Sequence, residues 1–363
     1  MIVPPGSTIG PGSTIGIIGG GQLGRMLAMA AAQLGYKCHI YAPDETPPAA
    51  EVAAAFTRGD FGDAEALRRF GEQVDVATYE FENIPADAVA ALGEAAALYP
   101  SPRSLEIAQD RLVEKEFVTG LGGEPAPFRA VASLPELEAA LASLGAPAIL
   151  KTRRFGYDGK GQVRLTDSSG AAEAWGAVKG APSVLEGFVG FDAEFSILLC
   201  RGQDGRAVTW DAPRNIHSNG ILDRSIIPAG DALAAAIASG ERLTRHIADA
   251  LDHVGILAVE YFAVGETAIF NEFAPRVHNS GHWTIEGART SQFENHIRAV
   301  CGLPLGDTGL AAPRVEMRNL IGSDVESWRG VLADPAAHLH LYGKKNARPG
   351  RKMGHVTIIR DST

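Results

Sequence analysis

The chain has 363 residues, room for two or three compact domains, with the 45% hydrophobic and 21% charged content of a globular protein. A net charge of −10 excludes a general nucleic-acid surface, so an anionic substrate would need a local basic patch. Cys38, Cys200 and Cys301 are odd in number and far apart, against a disulfide framework or structural zinc; with no membrane-length apolar run and no basic leader, a cytoplasmic protein without membrane contact is expected.

The first sixteen residues hold a tandem copy, Pro-Gly-Ser-Thr-Ile-Gly at 5–10 and again at 11–16. Six residues are too short for a solenoid repeat, and only the second copy is expected to matter. That copy runs into an apolar strand at 14–18, then the turn Gly19-Gly-Gly21-Gln22-Leu23-Gly24, then a helix over 25–34 that ends at Gly35. A second strand at 37–41 leads to Asp44, and a third at 74–79 carries the polar tail Glu80-Phe81-Glu82-Asn83. Strand, helix, strand in this order indicates a parallel sheet with ligands at the carboxyl ends of its strands. The pattern Gly19-x-Gly21-x-x-Gly24 with a downstream acid is also the dinucleotide fingerprint, so an NAD-dependent dehydrogenase is one reading of the front third.

A single helix is expected over 104–119, with Arg111 and Lys115 on one face. Strands at 148–152 and 163–166 bracket Phe155-Gly156-Tyr157-Asp158-Gly159-Lys160-Gly161-Gln162. This stretch fits both a hairpin tip and a loop that closes its amides and Lys160 over phosphate. Short strands follow at 184–189 and 194–199, then a long helix over 231–251.

Two strands, 257–262 and 268–273, meet in a turn at Gly265-Glu266. Symmetry about residue 266 would set Glu260 opposite Glu272, a like-charge pair that a divalent cation relieves, with Asn271 as a further oxygen donor. A register shifted by one residue would leave both acids solvated. Arg276, His278 and Asn279 follow at once, a donor-rich run suited to a small oxyanion. Ser291-x-x-Glu294 opens another helix, ending at Cys301-Gly302. Past Pro304 lies a distinct tail with strands near 315–321, 338–342 and 355–359. Between Tyr342 and Lys352 it holds five positive charges and no negative one, a phosphate site or a solvated charge run.

Taken together, the Gly19–Gly24 opening, Thr78–Asn83, the 155–162 loop, Asn271–Thr284 and Tyr342–His355 resemble the ATP-grasp superfamily of carboxylate–amine ligases. Within it they are most similar to the N5-carboxyaminoimidazole ribonucleotide synthetase family of purine biosynthesis. The resemblance implies an α/β (α+β) protein of the ATP-grasp fold: a Rossmann-like parallel-sheet domain over 1–111, an ATP-grasp domain over 112–303, and a small β-rich C-terminal domain over 304–363. A homodimer is implied as well.

In that family's pattern Arg111 and Lys151 contact ATP phosphates, and Gly156, Tyr157, Asp158, Gly159, Lys160, Gly161 and Gln162 form a lid. Glu186, Gly187, Phe188 and Val189 meet adenine as a hinge strand, Glu194 takes the ribose, and His217, Asn271 and Glu272 complete the ATP site. Glu260 and Glu272 carry Mg²⁺, or Mn²⁺ in its place. The 5-aminoimidazole ribonucleotide lies among Gln22, Leu23, Tyr157, Asp158, Lys344 and Arg351. Arg276, His278 and Asn279 hold bicarbonate and the carboxyphosphate made from it, and Asp158 is a candidate for the group that deprotonates the amine. Rival readings are a formate-dependent ligase acting on glycinamide ribonucleotide, the dehydrogenase, and a nucleotide-binding module without turnover.

Overall fold

The computed structural model describes residues 4, 6–156 and 161–360. Tyr157, Asp158, Gly159 and Lys160, expected in the lid and the substrate site, lie outside the described residues.

β1 (Thr14–Ile18), β2 (Lys37–Ala42), β3 (Ala55–Arg58) and β4 (Val76–Tyr79) form a parallel sheet in the order β3-β2-β1-β4. β1, β2 and β4 are buried almost throughout, the pattern of a parallel sheet covered on both faces. α1 (Gln22–Gln33) crosses from β1 to β2, and α2 (Ala64–Gly71) and α3 (Ala86–Gly93) cover the other face. Because β1 lies between β2 and β4, the chain reverses direction at the β1–β4 junction. A crevice opens there at the carboxyl ends, between the Gly19–Gly21 turn and Glu80–Asn83.

The single helix expected over 104–119 is two: α4 (Pro102–Ala108) and α5 (Arg111–Gly120). Asp110 breaks them. It is extended (φ −131°, ψ 109°), its Oδ1 accepts from the Leu112 N–H at 3.1 Å, and its carboxylate takes Arg153 at 2.8 and 2.9 Å. As an N-cap it starts a new helix with Arg111 at the first position, where the side chain turns back toward Gly156.

β5 (Phe128–Val131), β6 (Ala148–Thr152), β7 (Gln162–Leu165) and β8 (Ser183–Gly187) make a small antiparallel sheet ordered β5-β8-β6-β7. It is backed by α6 (Leu134–Leu144) and α7 (Ala171–Ala177), with Leu137, Leu141 and Ala174 against Leu150, Leu165 and Leu185. A nine-stranded sheet follows from β9 (Ala193–Arg201), β10 (Ala207–Thr209), β11 (Arg214–Ser218), β12 (Ile221–Ile227), β13 (Gly255–Val264), β14 (Thr267–Ala274), β15 (Arg314–Ile321), β16 (Ala337–Leu341) and β17 (Lys352–Arg360). α8 (Ala234–Ala250) covers one of its faces. β15 pairs with β12, so the distinct tail extends this sheet instead of building its own. α9 (Thr284–Gly287) and α10 (Gln292–Val300) lead from β14 into the tail. One core runs through all three regions, from Ile15 and Leu27 through Trp283, Phe293 and Ile297 to Val315 and Tyr342, and it fixes the regions around a common cleft.

The first copy of the tandem segment is not idle, contrary to expectation. Ile9 is 6% exposed and belongs to this core, its N–H donates to the Cys301 carbonyl at 2.9 Å, and its carbonyl accepts from the Tyr36 hydroxyl. The copy straps the end of α10 to the end of α1, a link set by distant partners that six residues cannot announce. Ile9→Ala is expected to lower the unfolding free energy by about 2 kcal/mol in urea denaturation, and a loss under about 0.5 kcal/mol would mean the strap is dispensable.

Candidate functional site

A cavity of about 780 Å³ opens where the three regions meet. It gathers Gln22 and Leu23 from the start of α1, Arg111 from α5, Gly156 from the β6–β7 loop, and Glu260 and Glu272 from the β13–β14 hairpin. Arg276, His278 and Asn279 after β14, and Lys344 and Arg351 from the basic loop, complete the expected residues it brings together. Lys151, Gly161, Gln162, Glu186, Gly187, Phe188, Val189, Glu194, His217 and Asn271 do not line it.

Glu260 does face Glu272, by a route different from the symmetric hairpin. The turn is a tight one, with Val264 opposite Thr267 and Tyr261 opposite Phe270; continued, that register would place Glu260 against Asn271. A bulge between Glu260 and Tyr261 lets Asn271 stand as the extra residue and brings Glu272 across from Glu260. Burial and the Glu272 charge push the Glu260 carboxyl up to about 7. Burial works against the Glu272 charge too, yet Arg111, at 2.6 Å, and Lys151 hold it down to about 2. Glu114, also buried, accepts from the Phe273 N–H and is pushed up to about 8 by burial and by Glu272. The pair is therefore an acidic site whose own neighbours balance only one of its two charges. Two hard carboxylates facing open space fit a Mg²⁺-sized cation. Among the described residues no cluster of three or more His, Cys, Asp or Glu stands ready to hold a metal.

Arg276 keeps its fork partly occupied: Nε and Nη2 both reach Glu82 Oε2, at 2.8 and 2.7 Å, and Nη1 reaches the Val277 carbonyl. Glu82, on the polar tail after β4, thus aims the guanidinium along the cavity wall. His278 sits 3.6 Å from Glu260 Oε1, and burial, with Arg276 and Lys352 nearby, holds it down to about 3, so it is neutral. Asn279 departs from its expected role. Its amide donates to His282 Nδ1 and Asn319 Oδ1 and accepts from Asn319 Nδ2, all at 2.8–2.9 Å, leaving no amide hydrogen for a small oxyanion. It braces the site from beneath.

The glycine turn corrects the dehydrogenase reading. Glu80 Oε1 accepts from the Gly21 N–H at 2.6 Å, at the start of α1, where a dinucleotide pyrophosphate would need the amides. A Cβ on Gly19, whose φ is 113°, would stand 2.5 Å from the Glu80 side chain, so these glycines make room for an acid of the protein itself. Glu80 was legible only as part of a polar tail, because the turn and β4 meet only in the folded sheet.

The basic loop is fixed. Lys344 Nζ donates to the Lys352 carbonyl at 2.7 Å and lies 5.4 Å from the Tyr342 ring; Arg351 Nη1 donates to the Asn346 carbonyl. Gly343 has φ 74° and runs close to Glu51, which pairs with Arg25 of α1. Lys345, Arg348 and Lys352 line the cavity as well, so the charge run is a wall.

Behind the cavity lies a buried charge cluster. Glu186 bridges Lys115 at 3.1 Å and Lys151 at 2.8 Å, and Lys115 also donates to the Asn271 carbonyl in the bulge. The Glu186 side chain is therefore an ion-pair partner, a role the hinge-strand expectation did not include. Phe188, beyond the strand, is exposed. Glu194 and His217, on the neighbouring strands β9 and β11, pair with each other; burial would lower His217, but Glu194 and Glu260 hold it above its ordinary value.

Residues 13–109 match the ribonucleotide synthetase preATP-grasp domain, 116–293 the ATP-grasp domain, and 316–363 the phosphoribosylaminoimidazole carboxylase C-terminal domain. The chain is 49% identical over 360 residues to an N5-carboxyaminoimidazole ribonucleotide synthase of Brucella melitensis, covering 98% of this chain and 99% of that one. It superposes on the Thermus thermophilus N5-carboxyaminoimidazole ribonucleotide synthetase with a TM-score of 0.89 at 48% identity, covering 96% and 94% of the two chains. An Aspergillus clavatus N5-carboxyaminoimidazole synthase solved with ADP and 5-aminoimidazole ribonucleotide gives 0.90 at 29% identity, with the same coverage.

Proposed function

Because this chain belongs to the N5-carboxyaminoimidazole ribonucleotide synthetase family of ATP-grasp ligases, we propose that it uses ATP and bicarbonate to carboxylate the exocyclic amine of 5-aminoimidazole ribonucleotide, releasing ADP and phosphate. One observation carries this reading: a single cavity joins an acidic pair suited to metal-bound nucleotide phosphates, the Arg276–His278 wall, and a fixed basic loop suited to a second phosphate.

A bicarbonate oxygen attacks the γ-phosphorus of ATP, the bond to the ADP oxygen breaks, and carboxyphosphate forms. The amine nitrogen then attacks the carboxyl carbon and phosphate leaves, while the amine gives up a proton. Arg111 and Lys151 would contact the ATP phosphates, with Glu186 orienting Lys151. Arg276, aimed by Glu82, and the neutral donor His278 would hold bicarbonate. Glu260 and Glu272 would hold Mg²⁺, which neutralises charge on the phosphate oxygens when bound. Gln22 and Leu23 would meet the ribonucleotide, and Lys344 and Arg351 its phosphate. Carboxyphosphate hydrolyses in water, so turnover requires that bulk water be kept from it. The family resemblance supports a homodimer and a cytoplasmic location; among the described residues no helix is long and apolar enough to cross a membrane.

Purified protein is expected to release ADP only when bicarbonate and 5-aminoimidazole ribonucleotide are both present. Release driven by formate and glycinamide ribonucleotide would overturn the assignment. Arg351→Ala is expected to raise KM for the ribonucleotide about 10–100-fold with KM for ATP unchanged, since one charge-assisted contact to phosphate is lost. An equal rise in both constants would move Arg351 out of the ribonucleotide site.

A further inference from the structure

We propose that Ser280, at the end of a buried hydrogen-bond chain through Ser196 and Asn215, is a positioning residue that keeps His278 in the tautomer protonated on Nε2. His278 then meets substrate as a hydrogen-bond donor and not as a base.

His278 caps the short turn after β14 with its own ring: Nδ1 lies 3.3 Å from the Ser280 backbone N–H and 2.9 Å from Ser280 Oγ. A backbone N–H only donates, so Nδ1 must present its lone pair, and the ring proton is left on Nε2. Nε2 is the nitrogen that faces Glu260 and the cavity.

The Ser280 hydroxyl points the same way for an independent reason. Ser225 Oγ donates to Asn215 Oδ1 at 2.8 Å, Asn215 Nδ2 donates to Ser196 Oγ at 3.1 Å, and Ser196 Oγ donates to Ser280 Oγ at 2.8 Å. An amide has one donating and one accepting end, so Asn215 gives the chain a direction. Each hydroxyl that accepts from one neighbour is free to donate to the next, and the last donates to His278 Nδ1. Ser196, Ser225 and Ser280 are fully buried and Asn215 is 5% exposed, so water does not compete for these bonds. The links come from β9, β11 and β12, adjacent strands of the nine-stranded sheet, which makes the arrangement rigid.

Under the function proposed above, on which this role rests, the Nε2 proton points to where bicarbonate oxygens gather charge. A base at that nitrogen would need the ring proton on Nδ1, against two donors. The proton released by the amine must therefore leave by another group.

The test labels the histidine nitrogens with ¹⁵N in the full-length protein and assigns His278 by loss of its signal in His278→Gln. The expected spectrum of the wild type shows the proton on Nε2. Ser280→Ala leaves only the longer 3.3 Å backbone N–H at Nδ1, so it should populate the Nδ1-protonated form in part and lower kcat for ribonucleotide-dependent ADP release about tenfold, with both KM values within twofold. Ser280→Thr, which keeps the hydroxyl, should restore both. Ser196→Ala, one link further away, should shift the tautomer in the same direction by less, and it serves if Ser280→Ala does not fold. A wild-type proton on Nδ1, or an unchanged tautomer in both alanine variants, overturns the proposal. A wild type that shows the expected tautomer yet releases no ADP with bicarbonate and the ribonucleotide refutes the function reading alone.

Discussion

Glu272→Gln is expected to lower kcat for bicarbonate- and ribonucleotide-dependent ADP release by about 10³-fold, the scale seen when a preorganised charge at a reacting centre is removed. The glutamine keeps the volume and one ligating oxygen but loses the negative charge that, with Glu260, would hold a divalent cation. Arg111 would lose its charged partner at 2.6 Å, so the guanidinium proposed to contact phosphate would also drift. Folding should change little, because losing the Arg111 pair and relieving the repulsion of Glu260 oppose each other. Steady-state ADP release at saturating Mg²⁺ measures the effect. Activity within tenfold of wild type would remove Glu272 from the catalytic centre.

The second large effect concerns stability. Glu186→Ala would leave Lys115 and Lys151 facing each other without their shared carboxylate, in an interior where Lys115 is fully buried. Breaking a buried ion pair from one side costs about 3–5 kcal/mol, and urea denaturation should show a loss of that size. Replacing all three with apolar residues of similar volume should recover most of the stability while abolishing ATP-dependent turnover, which separates the fold from the chemistry. A loss under about 1 kcal/mol in Glu186→Ala would contradict the argument.

The same group sets a pH dependence. Burial would raise the Glu186 pKa, but Lys151 and Lys115 hold it down to about 2, below the value near 4.3 of an unfolded glutamate. A depressed carboxyl stabilises the fold above its unfolded pKa and loses that contribution as pH falls through the folded value. Wild-type stability should therefore fall between roughly pH 4 and pH 2, and Glu186→Ala should show a shallower decline there.

Much of this was legible in the chain. β1 and β6 fall on the expected residues, because a short apolar run bounded by glycine or polar turns has few other uses. The hairpin with its facing glutamates was legible too, although the symmetry behind that expectation was off by half a residue and a bulge at Asn271 made good the difference. A bulge leaves no mark in composition or period. The helix break at Asp110 was missed because the apolar pattern continues across it, and only the arginines from another segment show why the acid caps there. Asn279 was misjudged for a related reason: a donor beside Arg276 and His278 looks like a ligand until Asn319, forty positions away, takes up its amide.

The sequence by itself determined the strands of the strongest apolar runs, the polar turns at their ends, the acidic pair, the basic loop and the family, since each rests on residues close together or on motifs in a fixed order. Tertiary structure alone decided what those groups do to one another. Glu80 occupies the amide of the glycine turn, Glu82 aims Arg276, Glu186 ties two lysines together, and a line of buried serines and Asn215 ends at Nδ1 of His278. Each of these partners comes from a different stretch of chain. Charge balance, proton position and the direction of a hydrogen bond depend on separations of about 3 Å, and such separations between distant stretches exist only once the chain has folded.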